Sequence, residues 1–446
     1  MEDGIDYLKT IKNSDKKIMS ELELFNDLSK DYRKSLYIVE SEVTGGFLLL
    51  NTITQEMVFI SEKEYTDDFF ETEYAKKSWF SVPKDFNEFR FVQSYRRQKS
   101  NNNRYDKPFK FTIFTTLVCN ANCFYCFEKS DRYNSSMSIK TSSQIVDFID
   151  KYADKKQVIE LAWFGGEPLL NTVAIDYICS ELNKRSIKFF STMISNGVLV
   201  DNEIIKKAIE VWNLKDIQIT LDGTEQLYNR IKKLTYNGNA FLRVIENIKL
   251  LLEHSIVVYI RLNLNKTNYT DLCNLIDYLL IEFKNKDDNL KVYCDLLYER
   301  TCGVKNDFVI NNELLERQIT ITQKLSDCGL YKVGIPRDIK VFNCNPDSGR
   351  EIVLLPNGKI GWCEHYISTR HIGNITEYLK DEQMICSMQE RYDPVDQCKN
   401  CSFFPYCIRL VVCDNCVDFC DEYRMCNKIK NLRIQMKNTY YTEQNN

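Results

Sequence analysis

No cysteine occurs in the first 118 residues of this 446-residue chain, although 18 follow and ten of them crowd between Cys344 and Cys426. The front of the chain therefore offers no thiol chemistry, and the last quarter needs thiolates at high density. Charge of one sign is also lacking: 59 basic against 63 acidic residues leave a net charge of -4. The only basic cluster, RRQKSNNNR from Arg96 to Arg104, is short and diluted with Asn, so it gives no nucleic-acid signal and is predicted to be a solvated linker. No stretch approaches 18 uncharged apolar residues, and the opening MEDGIDYLKTIKNSDKK has no apolar signal region. No membrane partner is expected, and a cytoplasmic location is. In a reducing cytosol, clustered cysteines are more often metal ligands than disulfides.

Apolar material is plentiful, at 44% hydrophobic and 12% aromatic, and the length exceeds one ordinary domain. Extended β-branched or aromatic runs alternate with amphipathic helical stretches. Strands are predicted to end at Leu117, Phe164, Ser195, Leu221, Leu264 and Leu297. Helices are predicted over roughly 140–153, 172–184, 202–211, 240–253, 271–283 and 312–325. Six β/α units in a row predict an α/β fold, a parallel sheet with right-handed crossovers curved into a partial (β/α)6 TIM-like barrel. Chemistry in such a barrel belongs at the carboxyl ends of the strands.

The unusual residues fall there. Strand one ends in CNANCFYC, whose Cys119, Cys123 and Cys126 can hold three irons of a four-iron cluster and leave the fourth open to a small molecule. Strand two ends in Gly165-Gly166-Glu167-Pro168, strand three in Ser195-Asn196-Gly197 and strand four in Asp222-Gly223, while strand five carries Arg261 and Asn263. GGEP alone would pass for a tight turn with a helix start; joint placement on successive strand ends argues for a site.

CxxxCxxC after strand one, GGEP after strand two and LDG after strand four resemble the radical S-adenosylmethionine enzymes, over about Phe109 to Glu299. The resemblance implies a [4Fe-4S] cluster on Cys119, Cys123 and Cys126 whose free iron chelates S-adenosyl-L-methionine, with one-electron cleavage to a 5′-deoxyadenosyl radical. It implies that Gly165 and Gly166 permit close backbone approach and that Glu167 accepts from the cofactor's ammonium. Tyr125 stands for the family's aromatic residue beside adenine, and Thr220 stands where the family often has Ser. Ser195, Asn196 and Arg261 complete the expected cofactor-binding set. Downstream of LDG this chain reads Tyr228-Asn229-Arg230-Ile231-Lys232 where related enzymes have an Arg, leaving Lys232 or Arg230 as its stand-in.

The C-terminal cysteines resemble the SPASM extension of peptide-modifying radical enzymes, which implies one or two auxiliary [4Fe-4S] clusters. One falls to Cys344, Cys363 and Cys413, the other to Cys398, Cys401, Cys407 and a final ligand open among Cys416, Cys420 and Cys426, of which Cys426 is closest to the family's spacing. The form Cys398-x2-Cys401 with Cys413-x2-Cys416 also matches a zinc site. Cys179, Cys273 and Cys294 read as small buried hydrophobes, while Cys302, Cys328 and Cys386 are undecided. Glu364, directly after Cys363, matches in position a catalytic base of the sulfatase-maturing relatives; a supporting or surface carboxylate is the alternative.

Three domains are expected: an N-terminal α+β domain over 1–105, the barrel over 106–335 and the cysteine-rich domain over 336–446. In the first, a charged helix to about Lys34 precedes a meander, SLYIVE, GFLLLN and EMVFIS, and helical sequence through Glu73. This resembles leader-peptide recognition domains, though a packing subdomain fits as well. The expected function is maturation of a ribosomally made precursor peptide by hydrogen abstraction, giving a thioether or carbon–carbon link. An auxiliary cluster would bind a substrate thiol or accept an electron, and flavodoxin or ferredoxin would supply the reductant. The rivals are an anaerobic sulfatase maturase and a non-catalytic zinc or cluster-binding module.

Overall fold

The computed structural model describes residues 25, 28–130, 135–283, 288–297, 311–366, 371–377, 382–391, 393–411 and 422–444. By packing, the chain forms two units, each drawn from separated stretches. One comprises Met1–Asn103, Lys332–Asn343 and Arg391–Asn446, the other Arg104–Tyr331 and Cys344–Glu390. The consecutive divisions at 105 and 335 are thus not the ones that packing draws, because segments after 343 pack back onto both halves.

In the first unit, strands β1 (Tyr32–Lys34), β2 (Ile38–Val43), β3 (Gly46–Asn51), β4 (Met57–Ser61) and β5 (Ser81–Pro83) form a β2-β3-β4 meander and a separate β1-β5 pair. The meander follows the alternation of the sequence. β1 replaces the predicted end of a charged helix: Arg33 pairs with buried Glu88 at 2.8 Å while its backbone runs antiparallel to Val82. The C-terminal helix Glu422–Gln444 lays Leu432, Met436 and Tyr440 on Val39, Leu48, Leu50 and Met57. A further correction concerns the predicted linker, which is part of a helix, Glu88–Asn103. Arg96 within it is buried, donating from Nε to the Lys340 carbonyl at 2.9 Å and from Nη2 to the Phe404 carbonyl at 2.6 Å.

In the second unit, β6 (Lys110–Thr116), β7 (Ile159–Gly165), β8 (Phe189–Ser195), β9 (Leu214–Leu221), β10 (Val257–Leu264) and β11 (Leu290–Leu296) lie side by side in chain order, all parallel. The expected helices connect them as Ile139–Tyr152, Thr172–Lys184, Asn202–Glu210, Ala240–Glu253 and Tyr269–Glu282, and Asn312–Asp327 follows β11. Their starts are written in the sequence: Ser138, Asp201, Asn239 and Asn311 each accept from a backbone N–H of the first turn. Further elements were not anticipated. A helix, Glu225–Lys232, follows the LDG turn, and β12 (Glu351–Leu354) adds in parallel to β6, continued antiparallel by β13 (Lys359–Gly361) and β14 (His371–Asn374).

One face of the sheet is apolar, as Ile217, Ile219 and Leu221 of β9 show, whereas Asp216, Gln218 and Thr220 of the opposite face are half-buried. The amino-terminal end of that face is charged: Lys110 reaches Glu160 at 2.9 Å and Glu351 at 3.8 Å, and Arg350 reaches Glu160 at 2.9 Å. Burial, then nearby Glu160, push the Asp216 carboxyl up to about 6 against the pull of Lys110 and Lys291. An unfolded aspartate titrates near 3.9, so the native state binds the extra proton from about pH 4 to pH 6, and stability falls as pH rises through that window. Asp216→Asn removes this loss. Relative to the parent, the variant should gain up to about 3 kcal/mol between pH 4 and pH 7, at 1.36 kcal/mol per pH unit, as read from urea unfolding across that range.

Candidate active site

The strand ends meet where the sequence places the unusual residues. Cys119, Cys123 and Cys126 occupy the irregular loop after β6, none of them in a disulfide, with Cys123 buried and the others half-buried. A loop without ladder hydrogen bonds needs anchors, and three sets hold this one.

The first is backbone. The Gly166 and Glu167 amides donate to the carbonyls of Thr116 and Val118, both at 3.0 Å. A Cβ on Gly165 would lie 2.2 Å from the Thr116 carbonyl oxygen, and one on Gly166 would lie 2.3 Å from that of Val118. The close approach these glycines permit is therefore to the start of the cysteine loop, and Gly165 in addition adopts φ +123°, a region that excludes most side chains.

The second anchor is Glu167, fully buried. It accepts from the Leu169 amide at 3.1 Å, the Ser195 hydroxyl at 2.8 Å and the Asn196 amide at 2.8 Å. Burial raises its carboxyl above the usual range despite those donors. Asn196 then passes the connection on, donating from Nδ2 to Asn120 Oδ1 at 2.7 Å inside the cysteine loop. Ser195, Asn196 and Glu167 thus form one hydrogen-bonded unit.

The third is a buried ion pair. Lys232 Nζ lies 3.0 Å from Asp222 Oδ2, their side chains 6% and 1% exposed. Tyr125 Oη sits between them, donating to Asp222 at 2.8 Å and accepting from Lys232 at 2.7 Å. Asn263 Nδ2 donates to the other Asp222 oxygen at 3.0 Å, and Asn268 ties the Asp222 and Asn263 carbonyls together. The Lys232 carbonyl accepts from the Asn122 amide at 2.8 Å, closing the circuit on the loop. Burial pulls the Lys232 ammonium down, but Asp222, Tyr125 and Cys123 outweigh it and hold the group well above its ordinary value. Burial and Asp222 push the Tyr125 hydroxyl up, so it stays protonated. Of the two stand-ins for the family's Arg, Lys232 is inside this network and Arg230 is exposed.

The remaining expected residues are dispersed. Thr220 and Arg261 are register neighbours on β9 and β10, and Arg261 donates to Asp295 of β11 at 2.9 Å. Cys363 donates from Sγ to Glu364 at 3.2 Å, and both Cys344 and Cys363 lie within electrostatic reach of Glu364. His365, beside Glu364, packs at a tilt against Phe127, the residue after Cys126, with ring centroids 5.2 Å apart. In the first unit, Cys398, Cys401 and Cys407 follow one another on two short turns, and Cys426 is exposed in the helix Glu422–Gln444. Cys413, Cys416 and Cys302 lie outside the described residues. Asp222, Asn120, Asn122 and Asn268 are missing from the expected set. Their signal was faint: polar residues at the mouths of apolar strands.

Among the described residues no three His, Cys, Asp or Glu side chains are gathered as a single ion would need; a four-iron cluster instead gives each thiolate its own iron. Three cysteines on one strapped loop, flanked by a buried ammonium, fit that donor pattern.

This is the strand-end arrangement of a radical enzyme built on a partial barrel. Residues 113–279 match the Radical SAM superfamily, so this stretch is a radical SAM domain, of the kind whose cofactors are a [4Fe-4S] cluster and S-adenosylmethionine. It is 24% identical to the radical SAM cyclopropyl synthase TigE of Paramaledivibacter caminithermalis, covering 90% of this chain and 87% of that protein. Identity to the serine-type anaerobic sulfatase-maturating enzyme of Bacteroides thetaiotaomicron is 22%, over 65% of this chain and 79% of the relative. The fold is shared with Streptococcus suis SuiB bound to precursor peptide SuiA, at TM-score 0.52 and 14% identity over 84% of this chain and 94% of that one. It is shared also with anSMEcpe bound to AdoMet and the Cp18Cys peptide, at TM-score 0.55 and 17% identity over 76% and 100%. No helix among the described residues is long and apolar enough to cross a membrane.

Lys232→Met strands Asp222 as an unpaired buried charge and should cost about 3–5 kcal/mol. Arg230→Ala on the same helix should stay within about 0.5 kcal/mol of the parent. Denaturant midpoints of the two anaerobically purified variants check both.

Proposed function

We propose that the protein matures a ribosomally made precursor peptide, abstracting hydrogen from it so that a thioether or carbon–carbon crosslink forms. What carries this reading is reach: in sequence, similarity to TigE spans 90% of this chain against 65% for the sulfatase-maturating relative, and in fold, likeness to SuiB spans 84% against 76% for anSMEcpe. When bound, the cluster and S-adenosylmethionine supply a 5′-deoxyadenosyl radical. Cys119, Cys123 and Cys126 would each hold one iron. Gly165, Gly166 and Glu167 would fix the loop that carries them, while Ser195, Asn196, Thr220 and Arg261 would meet the cofactor. Tyr125, its hydroxyl engaged by Lys232 and Asp222, would offer its ring to adenine. In SPASM fashion, Cys344 and Cys363 with Cys413 would carry one auxiliary cluster, and Cys398, Cys401, Cys407 and Cys426 the other. The β2-β3-β4 meander would take a leader peptide by strand addition to the outer edge of β4, which pairs on one side only. Flavodoxin or ferredoxin would deliver electrons.

One observation favours a second reading, formylglycine formation on a sulfatase: Glu364 accepts from Cys363 and, through His365, packs next to Cys126's neighbour Phe127. A base at that position is what such chemistry requires. The substrate separates the two readings. A short Cys-rich peptide encoded beside the gene should lose the mass of two hydrogens on incubation under the peptide reading, and only a sulfatase-derived peptide should react under the other.

With S-adenosylmethionine and dithionite, the anaerobic protein should release 5′-deoxyadenosine. The variant C119A/C123A/C126A should release none while keeping its auxiliary iron; release from that variant would overturn the central assignment.

A further inference from the structure

Cys398 lies on the short turn Asp396–Asn400, which Cys401 caps, and Cys407 caps the next turn, Phe404–Tyr406; amide hydrogen bonds run from Cys401 to the Cys398 carbonyl at 3.3 Å, from Phe404 to the Cys401 carbonyl at 2.8 Å and from Cys407 to the Phe404 carbonyl at 3.0 Å. Cys398 and Cys401 pack beside Tyr37, Trp79, Val92 and Phe404. Arg96 enters the same place, 8% exposed, its guanidinium 4.5 Å from the centroid of the Phe404 ring. Both of its hydrogen-bond acceptors are neutral carbonyls. Those bonds engage two of its five N–H donors and leave the charge uncompensated: among the described residues no carboxylate pairs with Arg96. A buried cation without a counterion is strongly unfavourable, and burial indeed pulls this guanidinium down to about 10. The groups that hold it up are, in order, Cys407, Tyr37 and Cys398, with Arg391 opposing. A second cation faces the same thiol, since Lys428 Nζ donates to Cys407 Sγ at 3.6 Å.

We propose that Arg96 and Lys428 form a cationic cradle for the iron–sulfur centre held by Cys398, Cys401 and Cys407, and that they set its reduction potential above what the same thiolates would give alone. This rests on the reading that these cysteines bind a cluster. One-electron reduction adds one negative charge to the centre, and fixed positive charges in a low-dielectric surrounding favour that form. The cradle also accounts for a buried arginine with no carboxylate, because the anion it lacks is the ligated cluster itself. Arg96 has a second effect: by holding the Phe404 carbonyl, it orients the turn between Cys401 and Cys407.

The test uses the full chain carrying C119A/C123A/C126A, so that only auxiliary iron contributes, with midpoint potentials followed by electron paramagnetic resonance during a dithionite titration. Lys428→Gln should keep the parent's iron content and move one wave negative, lowering the reduced-to-oxidised ratio at the parent midpoint about tenfold, which is 59 mV for one electron. Arg96→Gln should move the same wave in the same direction, and Arg96→Lys should restore it. If Arg96→Gln fails to fold, the half-buried Lys428 decides alone. Unchanged waves with iron fully loaded would overturn the cradle. Absence of auxiliary iron from the parent would instead overturn the cluster reading beneath it, and that outcome is distinct because no wave would exist to move.

Discussion

The buried pair of Lys232 and Asp222 is the constraint on which the site depends. The cysteine loop has no ladder to define it, and its shape must come from side chains that admit only one arrangement. A buried ion pair is poor at adding stability, since removing both charges from water offsets their attraction. It is good at excluding alternatives, because any slip of the loop would break Tyr125 away from two charged partners and leave them unsatisfied. Asn263 and Asn268 extend the same demand to β10 and the turn after it. Glu167 does the equivalent on the other side, with three donors on one buried carboxylate.

Two classes of cysteine separate by their surroundings. Cys179 and Cys294 lie within a helix and a strand, buried, and burial pushes both thiols up, which suits an inert apolar filler. Cys119, Cys126, Cys363, Cys398, Cys401 and Cys407 occupy loops, turns or a strand end, partly open, next to charged or hydrogen-bonding groups. Placement, more than composition, distinguishes the reactive set.

The barrel was legible because each of its parts declares itself locally. Parallel strands are apolar runs, four of the helices begin at a capping Ser, Asp or Asn, and the glycine pair after β7 needs its backbone freedom in any context. What escaped the sequence depends on partners distant along the chain. RRQKSNNNR looks solvated until Arg96 meets carbonyls 244 and 308 residues away. The four residues of β12 are too few to declare a strand, and only the neighbouring edge of β6 makes them one. Sequence leaves Lys232 and Arg230 as equal stand-ins, and only the enclosure of Lys232 by Asp222 and Tyr125 separates them. The consecutive domain divisions fail for the same reason, as chain order says nothing about which half a late segment rejoins.

The addition of β12 to β6 imposes an order on synthesis. β6 is the first strand of the barrel to leave the ribosome, and its second neighbour arrives only with Glu351–Leu354. Until then β6 pairs on one side with β7, an open edge of the kind that recruits foreign strands. The cysteine loop hangs from the end of that edge. A nascent chain thus exposes the cysteine loop and an open strand edge together, and one late, four-residue strand closes the edge.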